Sequence, residues 1–196
     1  MNPPRAVARK PPGRPRSSES HQAILDTTLD LLAERGFTAM SVEEVAARSG
    51  TSKATIYRRW PNKLHLTVAA FERTPPLSDV DRGNVGKDLE TLVNRFVELM
   101  ASTPLGKAFP SLLGESAHNP ELTKLIVPVF DARREPIRNA IRRGIARGEL
   151  STGTDIEFVL DAIMGPVVMR FMLSGAKPGK SYIRKAVAEA IRYHQA

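Results

Sequence analysis

The stretch Ser41-Val-Glu-Glu-Val-Ala-Ala-Arg-Ser-Gly50-Thr-Ser-Lys-Ala-Thr-Ile-Tyr-Arg-Arg-Trp60 decides the fold. Ser41 stands three residues ahead of Glu44, the pattern of a capping box, and it opens a short helix carrying Val42, Val45 and Ala46. Gly50 ends that helix by taking the positive φ that a tight turn demands. Helical spacing then resumes from about Ser52 to Arg59, with Ile56 and Trp60 on the buried side. Two short helices around a glycine-containing turn form the core of a helix-turn-helix. Ala46 and Ala47 are small enough for the helices to cross closely, and Ile56 fills the angle between them.

Working outward, Ala23, Ile24, Thr27, Leu31 and Leu32 mark an apolar stripe upstream, and Gly36 closes that helix. Downstream, Leu64, Leu66, Val68, Ala69 and Phe71 follow the helix-breaking Pro61 as a fourth helix. Thr74-Pro-Pro-Leu-Ser-Asp79, followed by Gly83 and Gly86, reads as a linker. Beyond it the spacing predicts helices near residues 88–102, 105–116, 120–146, 155–173 and 181–193. Pro128 and Pro136 should kink or split the third of these. No stretch alternates like a strand, and no repeat is present. The expected architecture is all-α, a three-helix helix-turn-helix DNA-binding domain at 18–75 joined to a helical regulatory, ligand-binding and dimerisation domain at 84–196.

Composition is globular, with 41% hydrophobic and 26% charged residues. No apolar run is long enough to span a membrane, and the N-terminus lacks the apolar core of a signal peptide, so a cytoplasmic location is expected. There is no cysteine, hence no disulfide and no thiolate metal site. The net charge of +8 is uneven. Residues 1–17 carry Arg5, Arg9, Lys10, Arg14 and Arg16 with no acid, in a proline-rich context that reads as a flexible basic arm. Arg14 and Arg16 flank Pro15, and an extended Arg-Pro-Arg suits a narrow minor groove of DNA.

The segment Gly36-Phe-Thr-Ala-Met-Ser-Val-Glu-Glu-Val and its continuation through Lys63-Leu64 resembles the N-terminal domain of the TetR family of repressors. The likeness covers about residues 18–70 and preserves the order of glycine, cap, turn and Tyr-x-x-aromatic-x-x-Lys. A recognition helix needs small or hydrogen-bonding groups where it enters the major groove and basic or aromatic groups at its rims. Lys53, Ala54, Thr55, Tyr57, Arg58 and Arg59 meet that need, with Lys53 and Thr55 as candidates for base edges. The resemblance implies that Tyr57, Arg59 and Lys63 clamp phosphates and that Trp60 is buried. Ser41 can offer its hydroxyl to a phosphate at the positive end of the helix it caps.

One recognition helix touches few base pairs, so a homodimer on a palindromic operator in double-stranded DNA is expected. The apolar helix at 155–173 has too few polar positions to face water, and with the last helix it would build the four-helix dimer interface common in the family. Residues 88–146 would then enclose a pocket for a small, largely apolar effector that releases the DNA. Phe96, Met100, Phe109, Leu112, Leu113, Val129, Phe130, Met164 and Met169 are its candidate lining. No cofactor is expected. His21, His65, His118 and His194 are scattered, and Glu115 with His118 is too sparse for a metal site. No nucleophile, phosphate-loop or dinucleotide motif is present, so an enzyme is not expected. A ligand-independent DNA-binding protein of the same fold, or less readily a helical enzyme, are the competing readings.

Overall fold

A computed structural model describes residues 16–194, and the expected arm up to residue 15, Arg14 included, lies outside them. Ten helices and no strand occur among the described residues. In chain order they are α1 Arg16–Ala39, α2 Val42–Arg48, α3 Lys53–Tyr57, α4 Lys63–Arg73 and α5 Val85–Ser102. α6 Pro104–Ser116, α7 Pro120–Ala132, α8 Glu135–Ala146, α9 Ile156–Leu173 and α10 Lys180–Arg192 follow. Arg16 is thus the first residue of a helix, where the sequence suggested arm.

The 120–146 helix is split, but at one proline only. Pro136 occupies the first turn of α8, where its missing N–H costs nothing, whereas Pro128 stays inside α7. Gly36 takes φ 75° and kinks α1 three residues before its end. A Cβ there would stand 2.7 Å from Ser111 Oγ of α6, so glycine is required by both backbone and space.

Two packed cores hold the chain together, and they do not divide where the linker does. The first joins Ile24, Leu31, Val45, Ile56 and Phe71 of α1–α4 to Leu105 and Leu112 of α6 and Leu122 and Ile126 of α7. The second is built from Leu89 and Val93 of α5, Ile141 of α8, Ile163 of α9 and Val187 of α10. Phe96 touches both. The helix-turn-helix therefore shares one continuous apolar interior with α6 and α7, and burial at roughly 25 cal/mol per Å² couples the two.

The stretch between α4 and α5 is fastened, although its prolines and glycines read as a plain linker. Asp79 Oδ1 pairs with Arg143 at 3.1 Å and Asp81 Oδ1 with Arg147 at 3.0 Å, both arginines on or beside the end of α8. Val80 is buried in the second core. The fully buried Asp88 accepts the Arg82 N–H at 2.8 Å. Arg138, also buried, gathers the carboxylates of Glu157, Asp131 and Glu135, tying α7, α8 and α9 into one corner.

Candidate nucleic-acid interface

The helix-turn-helix is held by its caps. Ser41 Oγ accepts the Glu44 N–H at 3.2 Å and starts α2. The Glu44 carboxylate does not return to close the box. It pairs instead with Arg35 at 3.0 Å and Arg48 at 3.2 Å, because α1 brings a guanidinium within reach. At the turn Gly50 takes φ 64°, and the Thr51 N–H returns to the Ala46 carbonyl at 3.0 Å. Ser52 then caps α3, accepting the Thr55 N–H at 3.2 Å while its hydroxyl meets that of Thr55 at 3.0 Å. Ser52 was not among the residues singled out from sequence; its spacing to Thr55 is the signal that would have found it.

α3 buries Ile56 alone and turns the rest outward. Lys53, Ala54, Tyr57 and Arg58 are exposed, with Tyr57 at 47%, an unusual setting for an aromatic ring without a partner to cover it. Thr55 and Arg59 are half-buried. Lys53 Nζ rests on Glu43 Oε1 at 3.0 Å, a solvent-exposed pair that a phosphate or a guanine edge can displace at little cost. Trp60 is buried, and its ring stacks on His21 at 5.1 Å.

Lys63 stands apart from the others. Its ammonium donates to the carbonyls of Phe37 at 2.8 Å, Met40 at 3.2 Å and Thr38 at 3.4 Å, and lies 4.3 Å from the centre of the Phe37 ring. Burial lowers its pKa, with the Glu115 charge partly offsetting that. The residue closes the end of α1 from the start of α4. The same loop is held from α6, where Ser111 Oγ accepts the Phe37 N–H at 2.8 Å and Glu115 accepts the Thr38 hydroxyl at 3.3 Å.

The nine candidate lining residues do not share one place. Met100 and Leu112 lie within the first core, and Phe96, Phe109, Val129 and Phe130 pack against it. Leu113 is half-buried on α6, Met164 packs on the second core, and Met169 is 57% exposed on α9. Phe130 is central to an aromatic cluster, edge-on to Phe109 at 5.1 Å and to Phe71 at 6.0 Å. Three hollows among the described residues are lined by none of these nine. One of about 460 Å³ runs along α9 and α10, walled by Phe158, Pro166, Tyr182 and Tyr193.

Comparison with known proteins agrees with this geometry over most of the chain. Residues 24–70 match the family model described as bacterial regulatory proteins, tetR family, and residues 79–190 match the tetracyclin repressor-like C-terminal domain. An uncharacterised HTH-type transcriptional regulator of Bacillus subtilis, YdeS, is 34% identical over 94% of both chains. The crystal structure of the TetR family transcription regulator SCO0332 superposes with a TM-score of 0.69 at 26% identity, covering 89% of this chain and 97% of that one. The fold is also that of FadR from Bacillus subtilis, solved with stearoyl-CoA, at TM-score 0.70, 17% identity and coverage of 87% and 97%. The chain belongs to the TetR family of transcriptional regulators.

Proposed function

We propose that the chain is a homodimeric repressor that seats two copies of α3 in successive major grooves of a palindromic operator and leaves it when a small, largely apolar effector binds. One observation carries the reading: the described surface exposes a cationic and aromatic edge on α3 and, separately, bare apolar side chains on α9 and α10. Lys53 and Thr55 read base edges, while Tyr57, Arg58, Arg59 and Ser41 hold phosphates. Lys63 acts on the DNA through the loop it braces and gives its ammonium to a phosphate only by leaving those carbonyls. Arg14 and Arg16 follow the adjacent minor groove. The apolar strip of Phe158, Pro166 and Tyr193 seats a second copy, which sets the spacing of the two recognition helices. An effector that prefers another spacing lowers operator affinity by its differential affinity for the two states. The site of action is the cytoplasm, and no step requires catalysis.

The test is to sequence the genomic DNA retained by the full-length protein. An inverted repeat is expected, bound with a steep salt dependence. The double variant K53A/Y57A should lose the preference for it while keeping its melting temperature. Indiscriminate retention by the unaltered protein, or unchanged selectivity in the variant, refutes the reading.

A further inference from the structure

Two neighbouring arginines at the α7–α8 corner are treated in opposite ways. Arg138 is surrounded by carboxylates. Arg133, at the C-terminal end of α7, has none within ion-pair distance among the described residues. Its Nη2 donates instead to the backbone carbonyls of Phe71 and Thr74, which close the C-terminal end of α4. Its Nε is buried with no partner. Burial pulls the guanidinium pKa below its ordinary value, and the charge of Glu72, which stands between Phe71 and Thr74 in the chain, offsets this only in part. A half-buried cation without a carboxylate partner, and with its Nε donor idle, is a costly arrangement that a matching anion relieves.

The surroundings indicate which anion. Phe71, whose carbonyl Arg133 holds, belongs to the aromatic cluster with Phe130. Thr74, the other acceptor, lies in the wall of an open hollow of about 530 Å³ lined also by Pro75, Leu77, Leu99 and Arg95. Arg95 adds a second positive charge, while the nearby Glu98 is neutralised by Lys177 at 2.7 Å. Apolar walls that include Arg95, with Arg133 bonded to the carbonyl of the wall residue Thr74, suit an amphipathic molecule carrying one acidic head.

Resting on the ligand-released repressor reading above, we propose that the effector is an amphipathic organic carboxylate whose head takes the Nε and Nη2 edge of Arg133 and whose apolar body fills the hollow beside Thr74. A carboxylate accepting from both nitrogens is the strong, bidentate arrangement for a guanidinium. Nη2 has two hydrogens, and the one a carboxylate takes is withdrawn from the Phe71 or the Thr74 carbonyl. The end of α4 is thereby loosened, and α4 begins at Lys63, the brace of the helix-turn-helix loop. Head recognition and release of the DNA are one event at one side chain.

The experiment uses the full-length protein with decanoate and naphthoate, one flexible and one flat, beside their uncharged alcohols and decylamine. Calorimetry reads binding, and anisotropy of the DNA fragment recovered above reads release. At least one carboxylate should bind at about 1 mM or below, at least tenfold more tightly than its alcohol or the amine, and weaken DNA binding. R133M should erase the preference for carboxylate over alcohol, and R133K should restore part of it. Equal binding of acid and alcohol, no binding of either acid, or an R133M protein that keeps the preference overturns the proposal. The comparison of heads on the unaltered protein stands even if R133M fails to fold. Arginine-dependent carboxylate binding that leaves DNA affinity unchanged upholds the anion site and refutes the coupling to release. Release by the alcohols alone refutes the anion site and leaves a ligand-released repressor.

Discussion

The core around Ile24, Ile56 and Phe71 leaves Lys53, Tyr57 and Arg58 at its edge in water, whereas the core around Leu89, Ile141 and Ile163 leaves Phe158, Met169, Leu173 and Tyr193 there. Both cores are built on leucine, isoleucine and valine, the first with Phe37, Trp60 and Phe71 added, and the sharper difference lies in what each declines to cover. Charged and hydrogen-bonding groups left exposed suit a partially hydrated, polyanionic partner. Bare aromatic and aliphatic groups suit a surface of their own kind. What a region leaves outside its core is the better guide to its partner than the core itself.

Breaking the second edge gives the largest expected effect. F158E with Y193E should turn a dimer into a monomer by sedimentation and reduce affinity for the inverted repeat on the order of a hundredfold, since each half then binds alone. Undiminished DNA binding by the monomer would erase the division of labour between the two edges. Next is G36A, which forces a side chain onto φ 75° and into Ser111 Oγ. It should destabilise the first core by about 2 kcal/mol in urea titrations. Adding S111A relieves the clash but leaves the strained backbone and takes away the acceptor of the Phe37 N–H, so it should recover little; full recovery would make the α1–α6 contact a purely steric one. S41A, which strips the cap of α2 without touching either core, should cost about 1 kcal/mol.

The smallest effect is electrostatic and sits where the first core meets its charged edge. Burial, with the charges of Arg59 and Arg73, holds the His21 imidazole below its usual 6.5. On acidification the unfolded chain therefore takes up the proton first, so this contribution to stability is complete above 6.5 and declines as the pH falls through that value. Melting temperatures measured on either side of it should differ slightly more in the unaltered protein than in H21F. An identical pH response would mean that the stack on Trp60 carries no linkage to protonation.

Much of the first region was readable because its signals are local. Ser41 and Gly50 act on backbone groups within a few residues, and the apolar spacing of α1 and α4 needs only one helix to make sense. What escaped has long reach. The glycine-rich and proline-rich stretch at 74–84 looked loose because its partners, Arg143 and Arg147, lie more than sixty residues on. Lys63 and Arg133 carry charges that sequence assigns to water or phosphate, yet both close carbonyl ends of helices they do not belong to. Apolar, inward spacing marks core and pocket alike, so sequence alone does not separate them. Met169 shows the limit: helical spacing identified an apolar residue but not whether the neighbour is this chain or another.

The strap of Asp79 and Asp81 across Arg143 and Arg147 has a consequence for the target. A reading head hung on a loose tether tolerates half-sites at varied separations, since the chain itself absorbs the error. A head collared to the body must instead find its two half-sites at one distance and one rotation along the duplex. Inserting a single base pair between them turns one site away by about a tenth of a helical turn, and a collared pair has little slack with which to follow it. Raising the salt, which loosens the collar's exposed ion pairs, should make that insertion less damaging even as it weakens binding as a whole.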